Sequence, residues 1–175
     1  MPGRIDLFKS KIMADLKQMH NKKEPPYFFE VELNRLDGSD GLLTADDASD
    51  SIKVGLPDVF GGEKDEWNPE HLFLASISSC YMTTYLSFAK KMNFDIAHFS
   101  CHTIGQVTLV GGRYEFTRID VYPKVFIPKN ELYHKASLAM EKTQKYCLIS
   151  NSVKTEIIYH GQVLNQDEIE LDEAV

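Results

Sequence analysis

The stretch Asn68-Pro69-Glu70-His71-Leu72-Phe73-Leu74-Ala75-Ser76-Ile77-Ser78-Ser79-Cys80 decides how this chain is read. It opens on an N-cap residue, a proline that suits the first helical position, and an acid beside the positive end of a helix dipole. No charged residue occurs from Leu72 to Ala89, so the spacing predicts a helix running to about Met92. A membrane span needs roughly 20 mainly apolar residues. Here Ser76, Ser78, Ser79, Thr83, Thr84 and Ser87 dilute the run. The reading adopted is a central helix buried on nearly all sides, with no membrane association.

Working outward, residues 5–19 repeat apolar side chains at helical spacing and predict a short amphipathic helix, in an extension covering residues 1–26. Residues 27–33 alternate, with Phe29, Val31 and Leu33 on one side, and predict a half-buried strand. The turn-rich run Leu36-Asp37-Gly38-Ser39-Asp40-Gly41 suits a hairpin. Residues 42–44 and 51–54 read as further strands, and 55–67 as a loop. Beyond the long helix, residues 102–110 and 114–127 flank Gly111-Gly112, a hairpin signal. Asn130 is expected to cap a second helix whose Leu132, Ala136, Ala139, Met140, Thr143 and Cys147 share one face. Residues 155–164 read as a closing strand, and 166–175 as an acidic flexible tail. Strands, a buried helix, strands, a helix and a strand make an α+β domain over residues 27–165.

The 175 residues carry a net charge of −7 without clusters of Lys and Arg. That argues against nucleic-acid binding and against anionic membrane surfaces. The N-terminal residues lack the apolar core of a signal peptide, so a cytoplasmic location is expected. Three cysteines, Cys80, Cys101 and Cys147, are too few for a disulfide framework. They lack the paired spacing of a structural zinc site, and no metal or other cofactor is expected. A hydrolase triad would require a spatial arrangement that no histidine marks in sequence. Cys80 and Cys147 fall on inward-facing helical positions, where free cysteine commonly serves as a small hydrophobe. Cys101 sits in a strand next to His102, and neighbours in a strand point to opposite faces.

As a whole, the run from Asn68 to Cys80 resembles the OsmC/Ohr family, in which a cysteine follows an Asn-Pro-Glu helix start, ten positions after the acid. Lys145-Tyr146-Cys147-Leu148-Ile149-Ser150-Asn151-Ser152 resembles that family's second site, a cysteine at the end of the later helix. The order of elements agrees from about Tyr27 to Leu164. The resemblance implies an intertwined homodimer with two central cysteine-bearing helices covered by antiparallel sheets. It implies a thiol peroxidase that reduces organic hydroperoxides in stress protection, with Cys80 as the attacking thiolate, Cys147 as the resolving thiol and Glu70 in the acid–base network. An external dithiol would regenerate the pair. The alternative is an OsmC-like protein that binds a small apolar ligand without peroxidase activity.

Ten residues of helix span about 15 Å and rotate about 280°, so a regular helix keeps Glu70 away from its own Cys80. Two antiparallel copies would bring Glu70 of one chain to Cys80 of the other. The chain departs from the family at the cation. One branch carries an arginine in the early hairpin, where this chain has Ser39. The other carries it about eight residues before Asn-Pro-Glu, where this chain has Val59-Phe60. Arg35 and Lys53 are the candidates to stand in.

Overall fold

The computed structural model describes residues 25–169. The expected helix over residues 5–19 and the tail from 170 onward lie outside the described residues. The chain divides between Asn68 and Pro69 into two compact units.

The first unit is a three-stranded antiparallel sheet, β1 (Glu32–Arg35), β2 (Gly41–Thr44) and β3 (Ile52–Val54), in that order. Gly38, at φ +59°, takes the left-handed position of the β1–β2 turn. The Arg35 guanidinium donates to the Gly38 carbonyl from Nε at 3.1 Å and Nη2 at 2.9 Å. Lys53 is held by Asp40 at 2.9 Å and by the carboxylate of Glu66. The loop over 55–67 contains one turn of 3₁₀ helix, Asp58–Phe60. The strand expected over 27–33 is shorter: only Glu32 and Leu33 of that run join the ladder. Within this unit Phe29 is 84% exposed, and Val31 and Leu33 are exposed as well. Alternation makes an apolar face, which the described residues of this unit leave open.

The second unit is built on α1 (Pro69–Lys91) and the long hairpin β4 (His98–Val110) and β5 (Arg113–Ile127). Gly111 and Gly112 have φ of +56° and +82°, the pair of positive values that a tight two-residue hairpin turn requires. A bulge between Gln106 and Val107 shifts the register. Beyond the hairpin come α2 (Tyr133–Tyr146), a single-turn α3 (Leu148–Ser152), β6 (Ile157–Tyr159) and β7 (Gln162–Asn165).

The closing strand expected over 155–164 is two strands, both parallel to β5, so this sheet is mixed rather than antiparallel. The break has a covalent cause. β6 pairs as far as Val121 with Tyr159, and β7 resumes at Lys124 with Gln162. Between them lies Pro123, fully buried, which has no N–H to donate. Gly161 sits opposite, where an added Cβ would come 3.1 Å from Met140 Sδ and 3.7 Å from the Pro123 ring. His160 spans the gap. Its N–H donates to Val121 at 2.8 Å, its ring stacks on Tyr122 at 4.4 Å, and Nε2 lies 2.7 Å from Asp120.

Asn130 does not cap α2. It begins a 3₁₀ turn, Asn130–Leu132, and its side-chain oxygen accepts from Asn165 at 3.0 Å, tying the start of α2 to the end of β7. The tail begins in an ordered turn. Asn165 and Glu168 form a capping box over Gln166–Glu168.

Helix α1 is the one described helix long and apolar enough to cross a membrane. It buries one stripe, Ile77, Tyr81, Tyr85 and Ala89, at four-residue spacing. Ile77 packs with Ile119 and Val121 of β5. Tyr85 and Ala89 pack with Val125 and Ile127 of β5 and with Ala136, Ala139 and Met140 of α2. Tyr81 stands between these clusters, its ring 5.3 Å from Tyr159 and 6.3 Å from Phe99. Gly105 lets α1 approach β4: a Cβ there would meet Phe116 at 2.5 Å and Leu74 at 2.9 Å. The expectation that α1 is buried on nearly all sides does not hold within the described residues of the second unit. Ser79, Thr83, Leu86 and Ser87 are exposed. Several hydroxyls on α1 bond its own carbonyls, Ser76 to Phe73 at 2.7 Å and Thr83 to Ser79 at 3.0 Å, which makes this surface uncharged without being greasy.

Ile119 is fully buried beneath α1. Ile119→Ala is expected to lower unfolding stability by about 2–5 kcal/mol, measured by urea denaturation. A loss below about 0.5 kcal/mol would mean that this cluster does not hold α1 to the sheet.

Candidate active site

Two cysteines far apart in sequence meet at the middle of α1. Cys80, half-buried, follows Ser79 on the open side and precedes Tyr81 on the buried stripe. Cys147, fully buried, lies at the junction between α2 and α3, where the backbone leaves the helix at φ −63°, ψ 115°. Asn151 fixes that junction, its side-chain N–H₂ donating to Cys147 O at 2.9 Å and Lys145 O at 3.0 Å. The corner turns the N–H of Ile149 toward Cys80 Sγ, at 3.4 Å.

The two neighbouring thiols are driven in opposite directions. Burial opposes a Cys80 thiolate. Hydrogen bonds from Ile149 N–H, the Cys147 thiol, the Thr84 hydroxyl and Leu148 N–H more than offset this, and the Cys80 pKa falls below the ordinary thiol value. For Cys147 burial prevails and pushes the pKa up, against the pull of Ser150, and the adjacent Cys80 adds to the rise. Of the two, Cys80 is the thiol that gives up its proton more readily. No guanidinium is needed for this asymmetry; it comes from backbone and thiol donors. Arg35 and Lys53, the candidate cations, are engaged by Gly38, Asp40 and Glu66 of the first unit.

Cys147 carries a further chain of donors. Ser150 Oγ donates to its sulfur at 3.1 Å, and the Tyr159 hydroxyl donates to Ser150 Oγ at 2.8 Å. Burial pushes the Tyr159 pKa up, which keeps its hydroxyl protonated at neutral pH. An open cleft of about 540 Å³, lined in part by Thr84, Phe88, Lys142 and Tyr146, lies one helical turn from Cys80 along α1.

The other expected residues stay apart. Glu70 sits in the first turn of α1, half-buried, with Oε2 buried and without a hydrogen-bond partner. Helical rise alone puts it about 15 Å from Cys80. Cys101 packs beside the Ile77 cluster, its sulfur 3.8 Å from Thr103 Oγ1, and burial pushes its pKa up. His102, on the opposite face of β4, is exposed. Ser150 and Thr84 were missed in sequence although each lies within one helical turn of a cysteine, at Cys147+3 and Cys80+4. Tyr159 carries no local signal, because only the parallel pairing of β6 brings it to Ser150.

Solved structures share this fold over about four-fifths of the chain. An OsmC-like protein from Mycoplasma pneumoniae is 13% identical, with a TM-score of 0.68 over 81% of this chain and 100% of its own. An organic hydroperoxide resistance protein from Elizabethkingia anophelis is 20% identical, with a TM-score of 0.64 over 82% and 99%. One from Legionella pneumophila is 16% identical, with a TM-score of 0.63 over 81% and 99%. No curated protein matches the sequence. The family model described as OsmC-like protein matches residues 61–159, a span that holds both cysteines of the site, and the chain belongs to the OsmC-like family.

Proposed function

We propose that this protein is a thiol peroxidase that reduces organic hydroperoxides with Cys80 as the attacking thiolate and Cys147 as the resolving thiol. The observation that carries the proposal is the meeting of the two cysteines at one corner, where the Ile149 N–H, two residues past Cys147, donates to the Cys80 sulfur at 3.4 Å, with the Cys80 pKa lowered and the Cys147 pKa raised. Cys80 attacks the terminal peroxide oxygen, the O–O bond breaks, and an alcohol leaves as Cys80 becomes a sulfenic acid. Cys147 condenses with it to a disulfide and water, and an external dithiol reduces the disulfide. Two solved relatives in fold named as organic hydroperoxide resistance proteins support the substrate class. The uncharged surface of α1 suits an apolar peroxide.

The working unit is proposed to be a homodimer. The surface of α1 that its own chain leaves open has no charge from Leu72 to Ala89 and includes Leu86, 41% exposed. The unpartnered Glu70 oxygen calls for a donor that the described residues of one chain do not supply. A second copy packed along α1 accounts for both, and would set Glu70 of one chain near Cys80 of the other. The second reading, a binder of small apolar ligands without redox chemistry, draws on the lack of the family's arginines.

Three outcomes are expected. Steady-state reduction of cumene hydroperoxide with a dithiol is abolished in Cys80→Ser, whereas Cys147→Ser completes one turnover and leaves a sulfenic acid that dimedone traps; undiminished turnover in Cys80→Ser removes the proposal. Thiolate is the reactive form, so iodoacetamide labelling of Cys80 rises with pH to a midpoint below that of a free thiol, about 8.5, while Cys147 and Cys101 label only at higher pH. Equal midpoints would favour the ligand-binding reading. Light scattering after size exclusion gives the mass of two 20.0 kDa chains, and a monomer at micromolar concentration would refute the shared site.

A further inference from the structure

The donor chain behind Cys147 has no part in the attack on peroxide, since it touches only the resolving sulfur. Ser150 also departs from the habit of its neighbours. Ser152, two residues on, returns its hydroxyl to a carbonyl of its own helix, Leu148 O at 3.0 Å. Such back-bonding is the ordinary use of a helical serine. The Ser150 hydroxyl goes instead to Cys147 Sγ at 3.1 Å, and its oxygen receives the Tyr159 hydroxyl at 2.8 Å. Tyr159 comes from β6, a different element. Its ring is clamped against Tyr81 of α1, so the relay's far end is fixed by the core.

We propose that Ser150 and Tyr159 form a hydrogen-bond relay that holds negative charge on Cys147 during the resolving step. The proposal rests on the two-cysteine reading above. Once Cys80 is a sulfenic acid, Cys147 must act as the nucleophile. It loses its proton, its sulfur attacks Cys80 Sγ, the S–O bond breaks, and the departing hydroxide takes a proton to become water. The net change is one sulfenic acid and one thiol converted to one disulfide and one water. A buried thiolate is costly without donors. Ser150 O–H supplies one to the sulfur directly, and Tyr159 O–H, donating to Ser150 Oγ, strengthens it. Ser150 touches a reacting atom and Tyr159 is a positioning residue acting through it.

The test separates this relay from the peroxidase reading. A coloured bis(nitrobenzoate) disulfide is mixed with reduced protein in a Cys101→Ser background. Cys80 displaces the first nitrothiolate and forms a mixed disulfide; Cys147 then displaces the second and closes the Cys80–Cys147 bond. No peroxide is involved, so this arm reads Cys147 even if peroxide proves not to be the substrate. In Ser150→Ala and Tyr159→Phe the first phase is expected to stay within twofold of its unsubstituted rate. The second phase slows about tenfold in Ser150→Ala, the loss of one hydrogen bond to a charged group, and less in Tyr159→Phe. Its pH midpoint moves up in both, and Ser150→Thr, which keeps the hydroxyl, restores it. A second phase with unchanged rate and midpoint in Ser150→Ala overturns the relay, as does equal slowing of both phases. A parallel arm with cumene hydroperoxide follows disulfide formation. If the unsubstituted protein consumes no peroxide there, the peroxidase reading fails while the relay stands or falls on the coloured phases.

Discussion

The packing of one stripe of α1 against the sheet governs everything else in the second unit. Ile77, Tyr81, Tyr85 and Ala89 are buried at successive turns, and this fixes the rotation of the helix about its axis. A helix turns 100° per residue, so once Tyr81 points into the core, Cys80 is placed at the edge of the buried stripe. There it is sheltered enough to be desolvated in part and open enough to be reached. The same stripe accepts α2 through the small residues Ala136 and Ala139, and the Tyr85 hydroxyl seals the contact by donating to Ala136 O at 3.3 Å. That approach carries the end of α2, and with it Cys147, to the side of Cys80.

The electrostatic consequence is local. A half-buried thiolate usually draws on a neighbouring cation. Here the donors are two backbone N–H groups at the α2–α3 corner, one hydroxyl and the second thiol. Neutral donors are individually weaker than a guanidinium. They converge because Asn151 holds two carbonyls of the corner and so fixes the turn that presents them. These donors come from the backbone and from neighbouring side chains, which nothing at Ser39, Val59 or Phe60 would disclose.

Much of this was legible in the sequence. Asn68-Pro69-Glu70 marks the start of α1 because capping, proline φ and the helix dipole are local effects. Gly111-Gly112 marks the hairpin because only glycine takes two positive φ values at little cost. The second-helix face from Ala136 to Thr143 follows from helical periodicity. The errors have equally specific causes. Asn130 is a good N-cap by residue type, yet its side chain is taken by Asn165 from the other end of the unit. The strand over 155–164 looks continuous, but Pro123, on a different strand, cannot donate to it, and it divides at His160–Gly161. The apolar run of α1 suggests burial all round, whereas the described residues of the second unit cover one stripe.

By itself the sequence determined where the long helix and the main hairpin turn begin, and which family the chain belongs to, and it singled out Cys80 and Cys147 as the cysteines to look for. These depend on interactions within about one helical turn or on motifs read in order. Only the tertiary structure decided that the two cysteines meet, that Ile149 donates to the sulfur of one, and that Ser150 and Tyr159 stand behind the other. Those contacts join residues 69 positions apart, as between Cys80 and Ile149, and depend on the rotation of α1 and the parallel register of β6 on β5. A pKa is set by every donor and every buried surface around a group, wherever in the chain they originate.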